Sequence, residues 1–131
     1  LDVIQPWIKQ KIVGCHEAQK NTIKLARKYG IFMGCGADFG GDAINPHGMN
    51  GLELKLMCEF GGLTPLEAIT VATKNSARFV QREHELGTLE EGKVADIIVV
   101  DGDPSADISL LVGPDHVKVV MQDGKIKKQI A

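Results

Sequence analysis

The feature that most restricts the fold is a change of hydrophobic texture near residue 82. Before it, apolar side chains recur three and four residues apart, the period of a helix face. After about Glu85 they gather in short β-branched runs separated by turn dipeptides. Helices followed by strands imply two packed parts, and 131 residues lie in the range of one ordinary domain. No internal repeat and no low-complexity stretch interrupts either part.

The first helix is expected from about residue 6 to residue 29. Pro6 suits a first helical turn, where its missing N–H costs nothing. Ile8, Ile12, Cys15, Thr22 and Ala26 fall near one face. Gly30, after the basic pair Arg27-Lys28, supplies a left-handed stop. The run Ile31-Phe32-Met33-Gly34-Cys35-Gly36 is too short for a helix and reads as a buried strand of a parallel sheet. It leads into Ala37-Asp38-Phe39-Gly40-Gly41-Asp42, a polar, glycine-rich loop. Helix, tight turn and strand ending in an acid make half of a βα repeat.

Two capped helices are expected next. Asn50 caps the first, with Glu53 at N3 and Gly61-Gly62 as its end. Thr64-Pro65-Leu66-Glu67 is a capping box with proline at N1, opening a helix to about Phe79 that buries Leu66, Ile69, Val71 or Ala72, and Ala77. Strands are expected at 95–100, broken by Asp101-Gly102-Asp103-Pro104, and at 117–121. Asp123-Gly124 then marks a hairpin before 125–128.

Several function classes fall away. Fifteen Lys and Arg against 17 Asp and Glu give a net charge of −2, with both signs mixed and no basic stripe, which argues against a nucleic-acid surface. The apolar runs are far shorter than the roughly 20 residues that cross a bilayer. Leu1-Asp2-Val3-Ile4-Gln5 has no basic segment ahead of an apolar one, so no signal peptide is expected; without an initiator Met it reads as a chain that begins mid-protein. Cys15, Cys35 and Cys58 form no CxxC pair and read as small buried thiols in a reducing, cytoplasmic setting.

Asp38 is the strongest candidate for chemistry. An acid just past the C-terminal end of a buried parallel strand stands where α/β folds place ligands and reacting groups. It could equally cap a turn, and local features do not separate the two. Gly34-Cys35-Gly36 invites a nucleotide reading, but Phe39 stands where the fingerprint needs its third glycine. Among His16, His47, His84 and His116 there is no HxH or HExxH pair, so the chain alone lacks the usual histidine zinc cage. His47 lies between the candidate strand and the next helix, within reach of a substrate on the side of Asp38, or bonded to backbone. Glu90-Glu91 and Asp101/Asp103 read as solvated turn acids.

The wording of three segments resembles the amidohydrolase superfamily, most closely its Xaa-Pro dipeptidase-like and imidazolonepropionase-like branch. Gly30-Ile31-Phe32-Met33-Gly34-Cys35-Gly36-Ala37-Asp38 is similar to the family's eighth barrel strand, with Ala37 where a Thr is usual. Pro46-His47-Gly48, the stretch from Leu63 through Ile69, and Ala72-Thr73-Lys74-Asn75-Ser76-Ala77 form the second. Gly87-Thr88-Leu89-Glu90-Glu91-Gly92-Lys93-Val94-Ala95-Asp96 and its strand, with Val117 to Lys125, look like the small β-sandwich attached to such barrels.

The resemblance implies an α/β fold in which residues 1–82 are the last helix–strand–helix portion of a (β/α)8 barrel. Residues 83–131 would be part of a small β-sandwich, both incomplete in a chain this short, since such a barrel needs at least ~200 residues. It implies zinc, one or two ions, and amide-type C–N hydrolysis of small peptide-like or cyclic substrates. Asp38 would touch the metal and serve as general base and then general acid. A cyclic deaminase of the same superfamily would differ only in substrate. The family's histidine and lysine ligands would precede this segment, so the chain alone is expected to be inactive. A non-catalytic alternative is a module that self-associates or pairs with the missing N-terminal segment.

Overall fold

Helix α1 spans Pro6–Lys28, with proline at its first turn. It ends where Gly30 turns left-handed at φ 63°. The Gly30 N–H donates to the Arg27 carbonyl at 3.1 Å and the Ile31 N–H to the Ala26 carbonyl at 2.8 Å, a Schellman closure that only a residue without Cβ adopts freely. The structure, a computed structural model, describes residues 5–38 and 47–130. Residues 39–42 of the loop expected at 37–42, and the Asn45-Pro46 pair, lie outside the described residues.

Only part of α1 is packed. Ile23 reaches the core, and Arg27 Nη2 lies 3.2 and 3.1 Å from the two Glu67 oxygens. Trp7, Ile12, Val13, Cys15 and Thr22 are exposed. The face that carries Ile12, Cys15 and Thr22 is therefore uncovered at these residues, and Cys15, read as a small buried thiol, is exposed because nothing among the described residues covers it. Of the three thiols, Cys35 and Cys58 are half-buried.

Helix α2 (Gly51–Gly61) buries Leu54, Met57 and Gly61 and stops at left-handed Gly62, φ 72°. The cap predicted at Asn50 is not made. Asn50 already has helical backbone angles, φ −56° and ψ −32°, and an N-cap side chain reaches the N3 amide only from extended backbone. The capping box at Thr64 is made in full: Thr64 Oγ1 accepts from the Glu67 N–H at 3.3 Å, and Glu67 Oε2 accepts from the Thr64 N–H at 2.7 Å.

The helix it opens is not uniform. Helix α3 (Pro65–Thr70) widens into a π-helical turn, Val71–Asn75, and continues as α4 (Ser76–Phe79). In the wide turn the Ser76 hydroxyl donates to the Val71 carbonyl, five residues back, at 2.8 Å. Ala68, Val71 and Ala77 are buried, whereas Leu66, predicted to be buried, is 62% exposed. Two residues rotate a helix about 200°, so the face that buries Ala68 sends Leu66 outward.

Gln81 closes α4 as Gly30 closes α1. At φ 57° it is left-handed, and the Arg82 N–H donates to the Ala77 carbonyl at 2.9 Å. A glutamine pays a Cβ penalty there that glycine does not. Gln81→Gly is expected to raise stability by about 0.5–1 kcal/mol, read as a higher midpoint in urea unfolding with an unchanged slope. Thr64→Ala is expected to cost about 1 kcal/mol by the same measurement. Glu67 is held below the usual carboxylate range, chiefly by the Thr64 N–H and then by Arg27. A depressed folded-state value means its contribution is present above the ordinary carboxylate pKa and is lost as pH falls through the depressed one. Thr64→Ala keeps that N–H, so only the part of its cost that comes from the Thr64 hydroxyl donating to Glu67 Oε2 at 3.1 Å is expected to fade in acid.

Strands β1 (Ile97–Val100), β2 (Val117–Gln122) and β3 (Lys125–Gln129) form one antiparallel sheet in the order β1-β2-β3. Ile97 pairs with Met121, Val99 with Val119, and Gln122 with Lys125. Asp123 (φ 50°) and Gly124 (φ 71°) make the hairpin that the Asp-Gly dipeptide predicts. Its tip docks ahead of β1, the Asp123 N–H donating to Asp96 Oδ1 at 2.8 Å. Neighbouring residues Ile98 and Val99 are each 51% exposed, so both faces of this edge strand are open.

A 3-10 turn, Ile108–Leu111, ties the strand-rich stretch to the helices. Ile108 enters a core made by Leu54, Met57, Leu63, Ala68 and Val71. The backbone of Gly51 lies directly against the Leu111 carbonyl. The chain is thus α/β with a small antiparallel sheet. The buried parallel strand expected at 31–36 is not formed among the described residues: the segment has no ladder partner, and Ile31 and Phe32 are exposed, because the sheet forms elsewhere. A strand is defined by its neighbours, which an apolar run cannot supply for itself.

Candidate functional site

The 31–38 segment is fixed at its base and open at its tip. Met33 and Cys35 pack on the core. Phe32 stacks on Phe79 of α4 with ring centres 5.1 Å apart, and the Arg78 guanidinium lies 5.0 Å over the Phe32 ring. Gly34 is needed here: a Cβ would stand 2.6 Å from the Phe79 ring. Two successive amides then find side-chain acceptors. The Cys35 N–H donates to Ser76 Oγ at 3.0 Å, and the Gly36 N–H to Glu53 Oε1 at 3.4 Å.

Asp38 follows, exposed and left-handed at φ 50°. Aspartate is among the few residues that tolerate this conformation, and such backbone collects at working sites. His47 is exposed in the turn with Gly48 just before α2. The eight residues between Asp38 and His47 lie outside the described residues, so the two stand at the two ends of one connection.

Glu53 is the residue that sequence reasoning misplaced. It was expected to serve its own helix at N3; its partner is 17 residues earlier in the chain. Its second oxygen, Oε2, is buried and has no hydrogen-bond partner among the described residues. The Cys35 thiol is pushed up to about 12, first by burial, then by the charge of Glu53 and a hydrogen bond to it. A thiol so held is neutral and unreactive at physiological pH. A signal was available in the sequence: Glu53 shares a helical stripe with Leu56, Met57 and Phe60, a carboxylate on an otherwise apolar face.

Among the described residues no three His, Cys, Asp or Glu side chains converge in a way that could hold a metal ion. The residues present do not by themselves fit the metal that the resemblance implies. His16 meets Phe60 edge-on, and His84 Nε2 lies 3.1 Å from Glu85. Asp103 accepts from the Ser105 N–H at 2.9 Å, the work of a turn acid. Among the described residues no helix is long and apolar enough to cross a membrane.

Residues 15–127 match the model of the amidohydrolase family. The chain belongs to the amidohydrolase family. Ochratoxinase of Aspergillus niger is 38% identical over 127 residues, 96% of this chain and 25% of that protein. Imidazolonepropionase of Shewanella sp. (strain W3-18-1) is 34% identical over 113 residues, 86% of this chain and 28% of that one. Among solved amidohydrolase-like structures, a prolidase complexed with N-methylphosphonate-L-proline superimposes with a TM-score of 0.84 at 27% identity, covering 98% of this chain and 30% of the other. A Xaa-Pro dipeptidase with methionine bound in its active site gives 0.73 at 35% identity, covering 83% and 25%. The chain spans about a quarter of the length of the curated relatives it matches.

Proposed function

We propose that this chain is the C-terminal part of a metal-dependent amidohydrolase that cleaves amide-type C–N bonds in small peptide-like substrates, with Asp38 as its reacting carboxylate. The observation that carries this reading is Asp38 itself: an exposed, left-handed acid at the tip of a segment whose base is fixed on both sides. Residues 1–82 would be the last helix–strand–helix portion of a (β/α)8 barrel, with the 31–36 segment as its final strand and the ladder partners in the rest of the barrel. Residues 83–131 would be part of a small β-sandwich; the open faces of β1 support a sandwich completed by further strands.

In the complete enzyme Asp38 accepts a proton from the attacking water on one carboxylate oxygen and then delivers it to the leaving nitrogen. His47, at the other end of the same connection, contacts the substrate. A divalent metal, zinc in one or two copies, would add Lewis acidity at the carbonyl, and its remaining ligands would come from outside the described residues. The prolidase and Xaa-Pro dipeptidase structures favour a dipeptide over a cyclic amide or a deaminase substrate.

The test is hydrolysis of Xaa-Pro dipeptides, followed by chromatography of the released amino acids. The purified chain with zinc is expected to show none, and the longer enzyme to show turnover. Zinc-dependent hydrolysis by the 131-residue chain, lost in Asp38→Asn, would overturn the need for further residues. The open strand β1 and the exposed rings of Phe32 and Phe79 favour a second reading, a self-associating module. Light scattering separates the two, since a clean monomer at micromolar concentration counts against that module.

A further inference from the structure

Two amides in a row, at Cys35 and Gly36, are taken by side chains of two different helices. Ser76, after the π-helical turn, and Glu53, on α2, thus hold two successive amides of the segment, the second of them two residues before Asp38. The Ser76 hydroxyl is itself oriented by donating to the Val71 carbonyl, which leaves its oxygen free to accept. The Glu53 contact is long, and the same carboxylate also takes the Cys35 thiol; it lies on the same helical stripe as buried Met57. A carboxylate turned inward, with its second oxygen buried and unpartnered among the described residues, is costly unless its place is required.

We infer that Glu53 is a positioning residue: its carboxylate holds the Gly36 amide, and with Ser76 it fixes the direction in which Asp38 leaves the segment. The inference rests on the reading of Asp38 as the reacting acid. It adds a specific requirement, a hydrogen-bond acceptor at residue 53, that neither packing nor charge alone would impose. Methionine fills the same space without an acceptor, whereas glutamine keeps the acceptor and loses the charge.

The experiment has two readouts. In this chain, the Gly36 amide proton is followed by NMR. In the complete amidohydrolase, kcat and KM are measured for a Xaa-Pro dipeptide. Glu53→Met is expected to move the Gly36 resonance upfield and to lower kcat at least tenfold with KM within twofold of wild type. Glu53→Gln is expected to restore both. Should Glu53→Met fail to fold, Ser76→Ala acts on the neighbouring amide, and the same fall in kcat is expected. An unchanged kcat in a folded Glu53→Met or Ser76→Ala protein overturns the inference, whether or not the Gly36 resonance moves. A loss in Glu53→Gln equal to that in Glu53→Met also overturns it, since charge would then be the requirement. Full turnover in Asp38→Asn brings down the reading of Asp38 instead, while the Gly36 resonance still reports whether Glu53 makes the contact.

Discussion

Asp38→Asn is expected to lower kcat of the complete amidohydrolase by about 10³-fold, within the range that positioned proton transfer contributes. Asparagine is close in size and equally tolerant of the left-handed backbone at φ 50°, so the turn survives the change. The side chain is also exposed, which leaves little packing to lose. On the proposed mechanism, what disappears is the basic oxygen that takes and returns the proton. Turnover of a Xaa-Pro dipeptide, measured beside the thermal midpoint, separates chemistry from folding. An enzyme with an unchanged midpoint and more than a tenth of wild-type kcat would remove Asp38 from the reaction.

Gly51→Ala is expected to be the most damaging single methyl group in the chain. Its Cβ would land on the Leu111 carbonyl, which is backbone and cannot rotate away as a side-chain end can. Either α2 or the Ile108–Leu111 turn must move, and each carries part of the same core through Leu54 and Ile108. Overpacking of this kind costs about 3 kcal/mol, which lowers the thermal midpoint of a chain this size by about 10 °C. Calorimetry checks it. A midpoint within about 2 °C of wild type would mean that the two parts are not locked together at this contact.

The local chemistry of helix ends was readable without a structure. Gly30, Gly62 and the Thr64–Glu67 box each act through partners within six residues, and each does what its sequence implies. Gln81 adopts the same left-handed ending although no glycine marks it, so the turn chemistry there could not be read from residue type. Leu66 and Cys15, both expected to be buried, are exposed for a related reason. Periodicity shows that a helix has an apolar face, whereas the neighbours available decide which apolar residues are covered. The 31–36 run reads as a buried parallel strand, but among the described residues it forms no ladder and none of it is buried, because pairing and cover depend on chain that is not local to it.

The site divides in the same way. Asp38 could be proposed because an acid after a glycine-punctuated apolar run is a sequence pattern. Glu53 and Ser76 could not be assigned, since their partners lie 17 and 41 residues away. Pattern alone offered Glu53 a nearer employment at the start of its own helix, and the unmade Asn50 cap is the other side of that misassignment.

The wide turn at Val71–Asn75 has a consequence for length variation. An ordinary helix through these residues would rotate everything beyond them by about 100°, turning Ser76 away from Cys35 and Phe79 away from Phe32. The π-helical turn absorbs one residue and so resets the rotational phase. A one-residue deletion within 71–75 is thus the length change that leaves the downstream side chains facing their partners. The same deletion a few positions earlier, in α3, would put Ser76 out of phase with the amide it holds. Homologues that differ in length along this helix should gain or lose that residue at the wide turn.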